Sequence, residues 1–292
     1  MILVTGATGH VGSELVRLLA EAGKPARALI HSPDKAAPIE RLGLETALGD
    51  FEQPDTLDAA MAGCDHLFLL SPPNPRQPEQ EQNVIDAAKR AGVGHVVKQS
   101  VPGAAPDAGV VFGRWHAQIE QYLAQSGLPH TLLRPNYFMQ NYLMSAQPVA
   151  EQGVLYGMTG EGQISYIDTR DIAAVAAQAL TSPGHQGSSY TLTGSEALSA
   201  AEVAERLSAA IGRQVRYVDV PSDAFRQALA DAGLPGWLVD ALIESNTLLA
   251  AGYGATVTEE VARLTGRPPQ TFEQFAADHR VAFGGQPLQL LA

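Results

Sequence analysis

Met1-Ile-Leu-Val-Thr-Gly-Ala-Thr-Gly-His-Val-Gly12 opens the chain, and the order of residue types in it decides how the rest is read. A short apolar run, Ile2 to Val4, passes straight into Gly6, Gly9 and Gly12, and an apolar-periodic stretch with Val11, Leu15, Leu18 and Leu19 follows. That order reads as strand, tight glycine turn and helix. Glycines at such a turn allow positive φ and let the backbone come close to a ligand, while the free N–H groups and dipole of the next helix favour an anion. A dinucleotide pyrophosphate is the natural occupant, held by Gly6, Thr8, Gly9, His10, Val11 and Gly12. The spacing is GxxGxxG where the usual fingerprint is GxGxxG, so the inference rests on where the loop stands, after an N-terminal strand and before a helix.

Outward from this loop, Ala26-Arg-Ala-Leu-Ile30 reads as a second strand that ends in His31-Ser-Pro-Asp-Lys35. A cofactor without a 2′-phosphate usually meets an acidic side chain here, on its ribose hydroxyls. His31 and Lys35 are two potentially cationic groups instead, which favours NADP(H) over NAD(H), while Asp34 keeps the second cofactor open. Leu44–Leu48 is a third strand, ending in Gly49-Asp50-Phe51. His66-Leu-Phe-Leu-Leu70 is nearly all apolar, as expected of a strand buried on both faces of a parallel sheet, and it runs into Ser71-Pro72-Pro73. Helical periodicity over 77–91 and 111–125 flanks a fifth strand that begins at Val96-Val97 and ends near Gln99-Ser100. His130–Leu133 is a sixth strand. This alternation predicts an α/β fold with a doubly wound parallel sheet. Residues at the carboxyl ends of such strands line the ligand crevice, which nominates Asp50, Phe51, Leu70, Ser71, Gln99 and Ser100.

Ile164–Asp168 looks like a further strand before a helix entered at Asp171-Ile172, and Tyr190-Thr-Leu192 adds a late strand. Beyond Gly194 the chain turns helical, with capping boxes expected at Ser199, Thr256 and Thr271 and a helix opened by Leu234-Pro-Gly-Trp237. The expected organisation is a nucleotide-binding domain over 1–152, with 153–194 adding late strands to it. A smaller, mostly helical lobe over 195–292 closes the crevice.

Composition narrows the function. Nineteen basic against thirty-one acidic side chains give a net charge of −12, a surface that repels nucleic-acid phosphates and anionic lipid. No apolar span has the length of a membrane helix and no signal peptide is visible, so a cytoplasmic location is expected. The single cysteine, Cys64, begins an apolar run and reads as a buried structural thiol. The eight histidines are scattered without acidic or cysteine partners at ligand spacing, so no metal site is expected.

Five pieces, taken as an ordered set, resemble the NmrA-like branch of the atypical short-chain dehydrogenase/reductase superfamily, which includes bacterial NAD(P)H:quinone reductases and triphenylmethane-dye reductases. They are Val4-Thr-Gly-Ala-Thr-Gly-His-Val-Gly12, Gly49-Asp50, Asn83-Val-Ile-Asp-Ala-Ala-Lys-Arg-Ala-Gly92, Leu133-Arg-Pro-Asn136 and Tyr166-Ile-Asp-Thr-Arg-Asp-Ile172. They span about the first 195 residues. The resemblance implies a Rossmann fold, a nicotinamide cofactor at residues 6 to 12 and a substrate cleft beneath the smaller lobe.

Enzymes of that superfamily commonly carry a serine after the fifth strand and a YxxxK pair on the next helix, with tyrosine as proton donor. Ser100 takes the serine position here, but the pair falls on Phe112-Gly-Arg-Trp-His116: phenylalanine has no proton to give, and His116 stands where lysine would, able to hydrogen-bond a ribose. His116 also shares a helix face with Glu120. Losing a positioned acid costs ketone reduction on the order of 10²–10⁴-fold in rate. Quinones and triarylmethyl cations spread or neutralise the incoming charge and manage with positioning and a dry cleft. The expected function is hydride delivery from NAD(P)H to such a planar electrophile, by a monomer or homodimer, with Tyr137 as a proton source and Tyr137, Phe138 and Tyr142 available to stack on a flat ring. The alternative is a non-enzymatic NADP(H) sensor acting through a protein partner.

Overall fold

The computed structural model describes residues 1–286 of the 292, so positions 287–292 of the expected C-terminal lobe lie outside the described residues. In chain order the first elements are β1 (Ile2–Val4), α1 (His10–Glu21), β2 (Ala26–Ile30), α2 (Ala36–Glu40) and β3 (Glu45–Leu48). Then come α3 (Pro54–Met61), β4 (His66–Leu69), α4 (Gln77–Ala91), β5 (His95–Gln99), α5 (Val111–Ser126) and β6 (His130–Pro135). These are followed by α6 (Ala146–Gln152), β7 (Val154–Gly157), α7 (Thr169–Thr181), β8 (Ser189–Leu192), α8 (Ala200–Ile211) and β9 (Arg216–Asp219). The last are α9 (Ser222–Asp231), α10 (Gly236–Ala250), α11 (Glu260–Thr265) and α12 (Phe272–Asp278).

Two compact units result, one of residues 1–135, 169–192 and 260–266, the other of 136–168, 193–259 and from 267 onward. The chain thus does not divide at 152 or 195. It leaves the first unit at the end of β6, returns for α7 and β8, and returns once more for α11. The reason is packing: α7 buries Ile172, Ala173, Val175, Ala176, Ala179 and Leu180 and lies against α1, a stripe that needs the face of the sheet to cover it.

The first unit holds a seven-stranded sheet in the order β3-β2-β1-β4-β5-β6-β8. All its strand pairs are parallel. The order reverses between β1 and β4, so the strand that carries the glycine loop borders the switch point, where open sheets of this kind bind ligands. One face is sealed by Leu3, Leu67, Leu69 and Val96 against Leu57, Met61, Val84, Ile85, Ala88, Ile119 and Leu123. Full burial of each such Leu or Ile is worth about 1.5–3 kcal/mol. Cys64 joins this core and is a buried free thiol whose pKa burial raises.

The second unit is not purely helical. β7 pairs in parallel with β9, so β7 does not extend the larger sheet. Its core gathers Val149, Leu155, Tyr166, Leu198, Val203, Leu207, Phe272, Phe275 and Phe283. Both the Ser199 and the Thr271 capping boxes form. The third does not: α11 starts at Glu260, and the Thr258 N–H donates to Thr193 Oγ1 at 2.9 Å. Nor is there a strand over 164–168, because successive backbone donors turn to different segments. Ile164 N–H goes to Leu198 O, Ser165 N–H to Gly254 O and Ile167 N–H to Tyr137 O, leaving single bridges in place of a ladder. Among the described residues no helix is long and apolar enough to cross a membrane.

The amino-terminal edge of the larger sheet sets an acid limit. His95, at the start of β5, is buried, and its Nε2 lies 2.9 Å from Thr131 Oγ1. That hydroxyl gives its own proton to His185 O at 2.6 Å, so Nε2 must be the donor. Burial, reinforced by repulsion from His66, His185 and His130, pushes the His95 pKa down to about 4. Unfolded, it titrates near the ordinary value of about 6.5. The unfolded chain therefore binds more protons between these values, and stability is complete above about pH 6.5 and lost as the pH falls towards 4, by about 3 kcal/mol. Urea unfolding at successive pH values should show this slope in the native chain and a shallower one in His95→Gln; equal slopes would contradict it.

Candidate cofactor site at the carboxyl end of the sheet

β1 reaches the switch point and must turn at once, and the residues after it make the turn possible. Gly6 has φ +61°, and a Cβ on it would stand 3.1 Å from both Leu70 Cγ and Leu70 O. A Cβ on Gly12 would stand 2.1 Å from Gly6 O, inside the carbonyl, so the first turn of α1 rests directly on the loop. Thr5 Oγ1 ties this loop to the end of β4, with Leu70 O and Leu70 N each 2.8 Å away. Gly9 is the N-cap of α1, no side chain caps that terminus and no carboxylate stands in its first turn. Unsatisfied N–H groups and the helix dipole are left for an anion. Thr8 and His10 are exposed beside it, and Val11 is buried beneath.

At the end of β2, His31 and Lys35 are both exposed. Lys35 Nζ is 3.4 Å from Asp34 Oδ2, and Asp34 also accepts the Ser32 hydroxyl. That hydrogen bond, with Lys35 beside it, holds the Asp34 carboxyl below its usual range. After β3, Asp50 serves its own turn, its carboxylate accepting Glu52 N–H at 2.9 Å and Gln53 Nε2 at 3.0 Å. The Phe51 carbonyl accepts Asn83 Nδ2 at 2.8 Å, and its ring packs on the core.

The ends of β4 and β5 are richer. Ser71 Oγ donates to Glu81 Oε1 at 2.8 Å, and Gln77 Nε2 donates to the same oxygen at 3.1 Å. Lys98 Nζ, from β5, lies 2.9 Å from Glu81 Oε2, and both charged side chains have 0% exposure. Ser100 Oγ donates to Glu120 Oε1 at 2.5 Å, and Arg134 closes on the same carboxylate with Nε at 3.1 Å and Nη2 at 2.6 Å. Glu120, on the helix face it shares with His116, is therefore occupied by Ser100 and Arg134. His116 is buried with Nδ1 unpartnered among the described residues, as is Gln99 Oε1. Burial, then the Lys98 charge, holds the His116 pKa well below its ordinary value, so the ring is neutral at neutral pH. Phe112, in the tyrosine position, packs edge-on against Trp115 at 5.8 Å.

A model of the NmrA-like family matches residues 1–276. The chain belongs to that family. It is 48% identical over 284 residues to the NAD(P)H azoreductase of Xenophilus azovorans, spanning 97% of this chain and 99% of that one. The NADPH-dependent quinone oxidoreductase of Escherichia coli, solved with NADPH, superposes with a TM-score of 0.87 at 31% identity over 95% of this chain and 99% of that one. The Citrobacter triphenylmethane reductase, solved with NADP(H), gives 0.86 at 24% identity over 96% and 100%, a likeness of fold.

In this NmrA-like chain Gly6, Gly9, Gly12, Leu70, Ser71, Gln99, Ser100 and His116 all lie in the first unit, on the loop, the carboxyl-end segments and α5. Tyr137 and Phe138 lie in the second unit, where the Tyr137 ring meets Tyr166 edge-on at 5.9 Å. Burial raises the Tyr137 pKa, so it keeps its proton. Tyr142 packs into that unit's core and donates to Tyr166 Oη at 2.7 Å, so it is not free to stack on a ligand. Sequence reasoning missed Glu81 and Lys98. The signal was present: Lys98 interrupts an apolar strand, and Glu81 falls on the buried stripe Gln77, Glu81, Val84, Ile85, Ala88 of α4.

Proposed function

We propose that this chain is an NAD(P)H-dependent oxidoreductase, preferring NADP(H), that delivers hydride to a quinone-like compound, an azo or arylmethane dye, or another flat electrophile. The observation that carries this reading is the uncapped N-terminus of α1 behind the Gly6–Gly12 contact, in a chain 48% identical to an NAD(P)H azoreductase. The residues fit a nicotinamide dinucleotide. The first turn of α1 carries no side-chain cap and no carboxylate, which leaves its N–H groups to an anion, and Gln99 Oε1 and His116 Nδ1 are buried polar atoms that await a partner.

When bound, the cofactor's dihydronicotinamide supplies the hydride. The chain's own work is to bind and orient. The loop from Gly6 to Gly12 takes the diphosphate on the amides of Gly6, Thr8, His10, Val11 and Gly12, with Gly9 holding the turn closed through its own N–H to Gly6 O at 3.0 Å, and His31 and Lys35 take the 2′-phosphate, with Lys35 turning from Asp34. Asp50, Phe51, Leu70, Ser71, Gln99, Ser100 and His116 line the remainder. Neutral His116 orients and does not donate a proton, and Phe112 has none, so acid assistance from α5 is absent. Tyr137 is the remaining proton source in this reading. A substrate that delocalises the incoming charge needs no more than this. The named relatives are reductases, which disfavours the sensor alternative. We place the protein in the cytoplasm as a monomer or homodimer without nucleic-acid or membrane partners, in keeping with its −12 charge.

Purified protein mixed with NADPH and a panel of quinones and azo dyes should consume the dihydronicotinamide absorbance faster than protein-free controls; binding of NADPH with no consumption across the panel would contradict the enzyme reading. His31→Asp should move the preference from NADPH towards NADH by about tenfold, the size of one charge interaction near 1.4 kcal/mol. An unchanged ratio of the two Kd values would remove the phosphate role of His31.

A further inference from the structure

The serines after β4 and β5 share one arrangement. Each gives its hydroxyl proton to a carboxylate, and each carboxylate is held by a cation. Ser71 donates to Glu81, which is ion-paired with buried Lys98, and Ser100 donates to Glu120, which is clasped by Arg134. A hydroxyl has one proton and two lone pairs, and an ionised carboxylate only accepts. Neither serine has a proton left for a ligand.

We infer that Ser71 and Ser100 are obligate hydrogen-bond acceptors at the cofactor site, fixed in that polarity by Glu81 with Lys98 and by Glu120 with Arg134, and that they receive hydroxyl or amide N–H donors of the bound dinucleotide. This rests on the cofactor reading above. The donors a nicotinamide dinucleotide carries are its ribose hydroxyls and its carboxamide NH2, and these match the acceptor rim. The same polarity selects substrates. A ketone oxygen gaining charge in the transition state needs donors aimed at it, and the two serines offer it lone pairs. Quinones and dyes, which spread that charge over rings, escape the penalty. Glu81, Lys98, Glu120 and Arg134 are thus positioning residues, acting through the serines.

The Ser100 arm carries the test, because Glu120 and Arg134 are only partly buried and tolerate an isosteric change. In Glu120→Gln, Arg134 can bond only the amide oxygen, which leaves the amide N–H2 facing Ser100 and turns the serine proton towards the ligand. The full chain is titrated with NADPH by its fluorescence, with circular dichroism confirming the fold. Glu120→Gln should weaken the NADPH Kd about tenfold, as should Ser100→Ala, and the double variant should be no weaker than Ser100→Ala alone. Ser100→Ala leaves no hydroxyl whose polarity Glu120 can set. An unchanged Kd in Glu120→Gln, or effects that add in the double variant, would overturn the inference while the cofactor reading stands. Failure of the native chain to bind NADPH would overturn both.

Discussion

Gly12→Ala should raise the NADPH Kd at least about 100-fold, a loss near 2.7 kcal/mol. The added methyl would stand 2.1 Å from Gly6 O, 2.6 Å from Gly6 C and 2.8 Å from Ala7 Cα. All three are backbone atoms and no side chain can swing aside. Either α1 is pushed off the loop or the loop opens, and both separate the diphosphate-binding N–H groups. Overpacking of this kind also costs about 1–3 kcal/mol of stability, which a chain of this size survives. Titration of the folded variant, with its melting curve recorded beside the native one, checks the result. Affinity within about threefold of native would show that the loop does not bear on the ligand.

Lys98→Met should be the most destabilising single change, at about 3–5 kcal/mol, because it strands the Glu81 carboxylate in a dry interior. At roughly 2–4 °C per kcal/mol, the melting temperature falls by about 10 °C or more. Lys98→Met combined with Glu81→Gln removes both charges while an amide oxygen still accepts from Ser71 and Gln77, and should recover most of that loss, since the pair's attraction mainly offsets its own desolvation. Equilibrium unfolding of the native chain, the single and the double variant decides this. A single variant that loses less than about 1 kcal/mol, or a double no better than the single, would contradict the buried-pair account.

The glycine loop, the strands and the doubly wound order were legible because each is written locally. Ile2 to Val4, His66 to Leu69 and the helix over Gln77–Ala91 announce themselves by apolar runs and periodicity, and the structure places them within a residue of their expected bounds. The division of the chain was not legible, because it depends on which segment covers which. Nothing in 154–157 distinguishes a strand that extends the large sheet from one that pairs with Arg216–Asp219. Ile164–Asp168 has strand composition, yet its donors turn to three different segments.

The same limit applied at the site. Spacing put His116 and Glu120 on one helix face but did not reveal that Ser100 and Arg134, one strand apart, would claim the carboxylate. Its place at the carboxyl end of a strand nominated Ser71 without its hydroxyl's direction, which Glu81 sets from ten residues away. Charged side chains inside an otherwise apolar strand or stripe were the signal overlooked, since burial of a lone Lys or Glu requires a partner.

Every role proposed for the site depends on the first turn of α1 binding the diphosphate of a nicotinamide dinucleotide. A crystal structure of the chain with NADPH tests it most directly. The predicted result is diphosphate oxygens within hydrogen-bond distance of backbone N–H groups between Gly6 and Gly12, with the nicotinamide ribose near Gln99, Ser100 and His116. Diphosphate bound elsewhere, or a loop left without ligand in crystals that hold NADPH, would contradict it.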